Sequence, residues 1–210
     1  MKQYGIPKND MFKNVLRETM SMLEKFVQRL SFWQEKVNLI SRGNPGEVWD
    51  RHVLDSLQLM SCVPENTKVL TDLGSGAGFP GLILSIVSDG RFQVKLVESR
   101  NKKCMFLQEV IRELNLNAEV NCARIEKITP WRTDVITSRA LARLPKLLSY
   151  SCRFIGPETK LIFHKGKSVD EEILEAQKEF SFEVEKIKSC TSEEGWILVI
   201  TNAKRKMFSK

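Results

Sequence analysis

The pattern of hydrophobic and polar positions changes part-way along the chain. In its first part, apolar residues recur every three or four positions between Asn9 and Ile40, which predicts two helices broken near Ser31. Residues 44–60 predict a further helix, with Asn44 as its cap and Pro45 at its first position. The N-terminal part of the chain is therefore predicted to be helical.

From residue 68 onward, short apolar runs typical of strands alternate with helical patterns. The predicted strands are 68–73, 93–98, 118–123, 134–138, 160–164, 182–188 and 196–201. The predicted helices between the first six strands are 80–88, 101–115, a weak one at 125–128, 142–153 and 168–180. This alternation predicts a mainly parallel sheet with helices on both faces. Because only a short loop separates the last two strands, they are predicted to form a hairpin, and one strand runs antiparallel to the rest.

The predicted fold class is therefore α/β, a seven-stranded Rossmann-like sheet with one antiparallel strand, preceded by a helical segment. Residues 1–64 are predicted to pack as that helical segment on the core, and 65–210 to form the sheet domain, in one compact unit of 210 residues. No apolar run approaches the length of a membrane span, and the N-terminus lacks an apolar signal core. Five scattered cysteines without a CxxC pair predict reduced thiols in a cytoplasmic protein, without a disulfide framework or a metal site.

A glycine-rich stretch, "LTDLGSGAGFPGLILSI" at residues 70–86, joins the first predicted strand to the first helix of the sheet domain. At such a junction the strand end, the loop amides and the helix N-terminus converge on a ligand. Gly74, Gly76 and Gly78 would let a ligand lie against the backbone. Pro80 would start the helix without wasting an amide, and Gly81 would permit close packing. The stretch therefore predicts a ligand site.

The spacing of these glycines indicates which ligand is bound. A dinucleotide fold requires G-x-G-x-x-G, but Phe79 stands at the sixth position, and the pattern is D-x-G-x-G-x-G beginning at Asp72. Glu98 ends the second strand, 24 residues after Gly74, where a carboxylate can accept both hydroxyls of an adenosine ribose. The spacing favours S-adenosylmethionine (AdoMet), while NAD, another nucleotide or a turn without a ligand stay open as alternatives.

The charge of the chain, formally +7, is unevenly distributed. Residues 139–167 hold seven Lys and Arg against one acid, and the tail 204–210 adds four more. Residues 168–203 have the opposite balance, with nine acids and three lysines. A localised basic surface predicts a polyanion such as nucleic acid as partner, although a solvated face is the alternative.

At this point the chain resembles a specific family. The segments "RHVLDSL", "GSGAGFPG" and "SRA" follow one another as in RsmG, also called GidB, and the likeness covers roughly residues 30–200. The family is a bacterial methyltransferase that makes 7-methylguanosine in a 16S ribosomal RNA loop near the decoding centre. The resemblance implies AdoMet as cofactor, a methyltransferase domain at 65–210, and 16S rRNA in the small ribosomal subunit as partner. No membrane, no metal and a monomeric state are expected.

The resemblance also implies roles for individual residues. In the glycine loop, Gly74 and Phe79 resemble the family's AdoMet contacts, and Glu98 stands where the family often has Asp. The predicted cofactor-binding set is Asp72, Gly74, Gly76, Gly78, Phe79, Glu98, Ile125, Glu126 and Arg139. The predicted substrate-positioning residues of the catalytic site are Arg51, His52, Asp55, Arg139 and Lys165.

Each substrate-facing residue has a plainer interpretation. His52 fits a buried core or capping histidine, Asp55 fits either a helix pair with Arg51 four residues earlier or a cap on a neighbouring loop, and Arg139 fits an ordinary surface arginine. His164 is predicted to be structural. For the whole chain, the alternatives are a methyltransferase that acts on another RNA, a small molecule or a protein, and a nucleotide-binding protein without turnover.

Overall fold

The computed structural model describes residues 16–40 and 47–207. The predicted helix start at Asn9, the predicted cap Asn44 with Pro45, and the end of the basic tail at 208–210 lie outside the described residues.

Seven strands form one sheet. They are β1 (Val69–Leu73), β2 (Gln93–Glu98), β3 (Ala118–Cys122), β4 (Thr133–Arg139), β5 (Ile155–Lys165), β6 (Phe180–Lys188) and β7 (Trp196–Arg205). Their order across the sheet is β3-β2-β1-β4-β5-β7-β6. Strands β1 to β5 pair in parallel, and β7 is antiparallel to both β5 and β6. The predicted sheet and its single antiparallel strand are confirmed.

The helices follow the predicted pattern with one clear exception. They are α1 (Arg17–Gln34), α2 (Asp55–Leu57), α3 (Gly81–Val87), α4 (Asn101–Leu114), α5 (Leu144–Ser151) and α6 (Val169–Glu179), and a 3₁₀ turn covers Ile125–Lys127. The predicted break near Ser31 is wrong, because α1 runs through this residue. Its hydroxyl donates to the carbonyl of Val27 at 2.8 Å, so the polar side chain is satisfied within the helix.

The helix predicted over 44–60 is built from three kinds of turn. A π-helical stretch covers Trp49–Leu54, α2 follows, and a 3₁₀ stretch covers Gln58–Cys62. We call residues 49–62 the composite helix. Its wide π turn precedes Asp55, and π turns of this kind are frequent at functional sites.

Two hydrophobic layers enclose the sheet. On one face, α1, α3, α4 and the composite helix cover strand residues that include Val135 and Val199. On the other face, α5 and α6 cover Ile136 and Ile200, the residues that directly follow Val135 and Val199 in the chain. This alternation follows the two-residue period of a strand and explains why the strands read as continuous apolar runs. Within the described ranges no helix is both long and apolar enough to cross a lipid bilayer.

The carboxyl ends of β1 to β5 lie at one edge of the sheet, which we call the carboxyl edge. Because β7 runs the other way, it begins at this edge, where Trp196 pairs with Lys165, and it ends at the opposite edge with Arg205. The 189–195 loop between β6 and β7 therefore also lies at the carboxyl edge. Helix α1 packs in the hydrophobic layer on one face of the sheet. The division of the chain into a helical segment and a sheet domain after residue 64 stays a prediction.

The cysteines depart from the expectation that all five are reduced thiols. The structure pairs Cys104 of α4 with Cys122 at the end of β3 as a disulfide, with their Cα atoms 5.9 Å apart. Helix α4 leads into β3 and packs beside it, so two cysteines 18 positions apart in the chain meet. The spacing of the cysteines along the chain does not indicate that these two lie close together in the fold.

Candidate active site

The glycine loop between β1 and α3 has a backbone that requires glycine. Gly74, Gly76 and Gly78 have φ angles of +72°, +56° and +88°, a region that residues with a side chain rarely adopt. The amides of Gly74 and Ser75 donate to the carbonyl of Val97 at 2.9 and 3.0 Å, so the loop is held against the end of β2. The predicted need for a bare backbone therefore has a concrete geometric cause.

The carboxylate of Glu98 is the polar centre beneath this loop. One oxygen accepts from the Gly76 amide at 2.9 Å, and the other accepts from the Ser99 and Arg100 amides at 2.7 and 2.8 Å. A carboxylate offers about four acceptor sites, so one site remains for a ligand donor even while all three amides are bound. The three bonds fix the side chain, which is 8% exposed, in one orientation.

A cavity of about 450 Å³, which we call the cofactor cavity, opens beside Glu98. It is lined by Gly74, Gly76, Val97, Glu98, Ser99, Arg100, Lys103, Ala123, Arg124, Ile125, Glu126, Ala140, Leu141 and Tyr150. Five predicted cofactor residues are among them: Gly74, Gly76, Glu98, Ile125 and Glu126. A side chain at Gly76 would meet only the Lys103 amine, at 3.7 Å, and the Gly74 carbonyl, at 3.8 Å, so this space is open for a ligand.

Four residues of the predicted cofactor set do not line this cavity: Asp72, Gly78, Phe79 and Arg139. Asp72 is fully buried under the loop and accepts from the Thr137 hydroxyl at 2.8 Å, and burial raises its pKa to about 6. Phe79 is 5% exposed, packs edge-on to Phe26 and stacks on His52. Asp72 and Phe79 are thus packed in the interior and Arg139 lines a different cavity, and a contact with AdoMet stays a prediction from the sequence for all four.

A second cavity of about 650 Å³ lies over the ends of β4 and β5, and we call it the substrate cavity. All five residues predicted to position the substrate line it: Arg51, His52, Asp55, Arg139 and Lys165. The composite helix forms one wall and the 189–195 loop forms another. Both cavities are lined by Ala140 and Leu141, so they meet at the segment that follows β4. The two cavities are therefore neighbours at the carboxyl edge.

Asp55 is the centre of a polar network in this second cavity. One carboxylate oxygen accepts from Arg139 at 2.9 Å, and the other accepts from the Thr191 hydroxyl and the Gln58 amide, each at 2.8 Å. Of the two plainer interpretations, the pair with Arg51 is wrong, because Arg51 pairs with Glu47 at 3.0 Å, whereas the bond from Thr191 agrees with a role of Asp55 in holding a neighbouring loop. Asp55 therefore ties the composite helix to both the end of β4 and the 189–195 loop.

Both described histidines of the site are held in the neutral form. Arg139 donates to Nδ1 of His52, and burial, with the charge of Arg139, lowers the pKa of His52 to about 4. The Nε2 atom of His164 lies 2.7 Å from the Asp55 carbonyl, which can only accept, so Nε2 carries the proton. Burial lowers the pKa of His164 as well.

The chain also matches known proteins. Residues 19–197 match the family described as "GidB: rRNA small subunit methyltransferase G". The "Ribosomal RNA small subunit methyltransferase G" of Parvibaculum lavamentivorans is 40% identical over 191 residues, which cover 89% of this chain and 84% of the relative. The protein with that name from Rhodospirillum rubrum is 40% identical over 186 residues, covering 89% and 92%. This chain belongs to the rRNA small subunit methyltransferase G family.

Solved structures agree with this membership at the level of the fold. A SAM-dependent methyltransferase from Aquifex aeolicus superposes with a TM-score of 0.58 at 17% identity, covering 73% of this chain and 92% of that one. An O-methyltransferase from Bacillus cereus in complex with SAH gives 0.61 at 16% identity, covering 91% and 95%. The predicted family, the fold and the assignment as an AdoMet-dependent methyltransferase are confirmed.

In this family member, several residues that line the cavities were not predicted from the sequence. Lys103 and Tyr150 line the cofactor cavity, and Glu172, Glu194 and Trp196 line the substrate cavity. Only tertiary packing brings these residues to the site, because they lie within helices α4, α5 and α6 or at the β6–β7 hairpin. The position of Lys103, in the first turn of the helix after β2, is the one signal that could have indicated it.

Part of the basic segment 139–167 is neutralised within the fold, which bears on which of its seven cations are available to RNA. Three of its cations form ion pairs: Arg139 with Asp55, Arg143 with Glu175 and Lys165 with Glu172. Arg153 donates to the carbonyls of Ile125 and Ile128. The three ion-paired cations are therefore engaged within the fold, whereas Lys146, Lys160 and Lys167 form no ion pair with a described residue.

Gly76 and Gly90 allow a test of ligand binding, because both have a positive φ but only Gly76 lines the cofactor cavity. Gly76→Val is expected to weaken AdoMet binding at least about tenfold, because the side chain would enter the cofactor cavity. Gly90→Val is the matched control: its φ is +73°, and an added Cβ there would meet nothing within 4 Å. Titration calorimetry with both variants separates intrusion from backbone strain, and equal AdoMet affinities would place the ligand elsewhere.

Proposed function

We propose that this protein transfers a methyl group from AdoMet to N7 of a guanine in 16S rRNA, in a loop near the decoding centre of the small subunit. Family membership supports the reaction type and an rRNA substrate, and the resemblance of the sequence motifs supports the atom and the place. The observation that carries the proposal is the meeting of the two cavities at Ala140 and Leu141.

The residues of the cofactor cavity fit AdoMet. Glu98 is oriented by three backbone amides to accept from ribose hydroxyls, and the bare backbone at Gly76 leaves room for the ligand. Ile125 offers an apolar wall and Glu126 a polar neighbour for the adenine. When bound, AdoMet supplies an electrophilic sulfonium methyl, whose bond to sulfur breaks as its bond to guanine N7 forms.

The site needs no general base for this reaction. Guanine N7 has a free lone pair and no proton to lose, so the positive charge simply moves from sulfur to the purine. The neutral His52 and the carbonyl-bound His164 therefore serve as fixed hydrogen-bonding groups, and the cavity walls act by holding N7 in line with the methyl group. Such positioning contributes up to about 7–11 kcal/mol to lowering a barrier in ideal cases.

Mass spectrometry of 16S rRNA tests the proposal. Cells that lack this protein are expected to lose one 7-methylguanosine from 16S rRNA, and complementation is expected to restore it. An unchanged 7-methylguanosine content would refute the guanine assignment. Methyl transfer to a protein or a small molecule, with no change in rRNA, would favour the alternative substrates. A cytoplasmic location and a monomeric state stay predictions from the sequence.

The salt dependence of RNA binding tests which cations contact RNA. Lys102 and Lys146 are exposed at the carboxyl edge and do not line the cofactor cavity. Replacing both with Gln is expected to reduce the log–log salt slope of RNA affinity by about 0.7–0.9 per lysine, since each phosphate contact releases counterions. AdoMet affinity is expected to stay unchanged.

The matched control replaces Lys204 and Lys206 with Gln. These lysines lie at the end of β7, at the edge of the sheet away from the two cavities, and Lys206 donates to the Gln177 carbonyl at 2.7 Å. We expect the salt slope of this control to match that of the parent. A larger effect from the tail than from Lys102 and Lys146 would restore the tail as the RNA contact that the sequence predicted.

A further inference from the structure

The substrate cavity is lined by four carboxylates: Glu47, Asp55, Glu172 and Glu194. Three of them have partners. Glu47 pairs with Arg51, Asp55 binds Arg139 and Thr191, and Glu172 pairs with Lys165 at 2.8 Å and accepts from the Leu144 amide at 2.7 Å. Glu194 is exposed and has no hydrogen bond or ion pair with any described residue. Among these four carboxylates it is the one left available for a ligand.

The loop that carries Glu194 is well anchored. The Ser189 amide donates to the Gly195 carbonyl at 3.0 Å, closing the loop at its base. The Cys190 amide donates to the side-chain oxygen of Gln58 at 3.0 Å, and Thr191 donates to Asp55. Both partners lie on the composite helix. Glu194 therefore projects from a wall that is fixed relative to Arg139 and to the meeting point of the two cavities.

The position of this wall matches the geometry of the reaction. The cavities meet after β4, and the 189–195 loop precedes β7, which lies two strands further along the sheet. A purine held with N7 at the meeting point turns its N1 and N2 edge away from the cofactor cavity. Besides Ala140 and Leu141, the walls of the substrate cavity include the composite helix and the 189–195 loop, and among the described lining residues only Glu194 of that loop offers a carboxylate without a partner.

A second acceptor lines the same cavity. Because His164 donates through Nε2 to the Asp55 carbonyl, its Nδ1 atom bears a lone pair, and this buried atom has no hydrogen-bond partner within the described ranges. The side chain of His164 is 8% exposed. The lining of the cavity thus includes an exposed carboxylate and a buried imidazole nitrogen that both lack a donor among the described residues, and of the two the Glu194 carboxylate is open to the donors of a ligand.

We propose that Glu194 accepts hydrogen bonds from the N1–H and the N2 amino group of the target base and so selects guanine. Adenine has an unprotonated N1 and no amino group at C2, so it would set a lone pair against the carboxylate. Paired contacts of this kind discriminate between bases by about tenfold to about a hundredfold. The inference rests on the proposed methylation of guanine N7, for which it assigns the residue that determines base specificity.

The experiment compares small-subunit RNA carrying guanine or inosine at the target position. Inosine keeps N7, O6 and N1–H but lacks the amino group. With the parent protein, kcat/KM for inosine is expected to be about tenfold lower than for guanine. With Glu194→Gln, kcat/KM for guanine is expected to fall, and the difference between the two bases to shrink below about threefold, because the amide cannot accept from both donors.

Glu193→Gln is the matched control, since Glu193 is exposed on the same loop but does not line the cavity; it is expected to behave as the parent. AdoMet affinity and the unfolding midpoint of Glu194→Gln are expected to be unchanged, which excludes a folding defect. If Glu194→Gln discriminates between the bases as the parent does, the inference is wrong while the proposed function stands. If the parent places no methyl group on N7 of the guanine RNA, both are wrong.

Discussion

Replacing Glu98 with Ala is expected to weaken AdoMet binding about 100-fold or more. The carboxylate accepts from the amides of Gly76, Ser99 and Arg100, so its removal takes away both the predicted ribose acceptor and an anchor of the glycine loop. A hydrogen bond to a charged group contributes about 1.5–3 kcal/mol, and the loss of one such bond to the ribose, together with the loss of the loop anchor, corresponds to this weakening. Titration calorimetry measures it directly.

Two further variants show whether the expected loss is specific to a carboxylate at position 98. Glu98→Asp keeps the carboxylate and is expected to bind AdoMet within about tenfold of the parent. Glu119→Ala removes a carboxylate from the neighbouring strand, where it pairs with Lys95 at 2.9 Å, and is expected to leave AdoMet affinity unchanged. Binding by a folded Glu98→Ala variant at the parental affinity would show that this acid is not the ribose acceptor.

The second large effect is expected from Arg139→Ala, which we predict to lower kcat/KM for methyl transfer about 100-fold. Arg139 binds the Asp55 carboxylate and the Arg51 carbonyl, each at 2.9 Å, and also donates to His52, so it joins three residues of the substrate cavity. Its removal would release the wall against which the substrate is held, and misplaced substrates lose rate steeply. AdoMet affinity is expected to change less than about threefold, because the side chain lines the substrate cavity.

Stability must be measured alongside activity in this case. Loss of Arg139 leaves a mostly buried Asp55 carboxylate without its cation, which we expect to lower the free energy of unfolding by about 1–3 kcal/mol. Adding Asp55→Asn to Arg139→Ala is expected to recover part of that stability without recovering methyl transfer. Arg205→Ala, which breaks an ion pair with Glu179 at the opposite edge, is the matched control for activity. Parental turnover by a folded Arg139→Ala variant would remove Arg139 from the site.

The strands and most helices were predictable because their signals are local. Buried strands appear as continuous apolar runs, and the amphipathic α4 and α6 show helical spacing. The break predicted at Ser31 failed because propensity is a weak guide when α1 packs along its length and the serine hydroxyl bonds within the helix. The π and 3₁₀ turns of the composite helix have no sequence signature of this kind.

The charge pattern was the least reliable guide. A count along the chain treats Arg143 and Lys165 as free cations, but the fold places Glu175 and Glu172 beside them. The tail adjoins the last strand in sequence, but β7 runs antiparallel and carries the tail to the edge away from the cavities. Ion pairing and strand direction are properties of the folded chain, so a net charge cannot show which cations remain open.

The family, the fold class and the cofactor loop could be predicted from the order of the residues, because glycines at positive φ and a carboxylate at the end of the second strand leave a local motif in the chain. The role of Asp55, in contrast, depends on contacts that form only in the folded chain. Its partners Arg139 and Thr191 lie 84 and 136 positions away in the chain, and no spacing rule links residues so distant. They meet because the parallel strand β4 ends with Arg139 at the carboxyl edge, and the loop that carries Thr191 precedes the antiparallel β7 at the same edge. The substrate cavity lies between these parts of the chain.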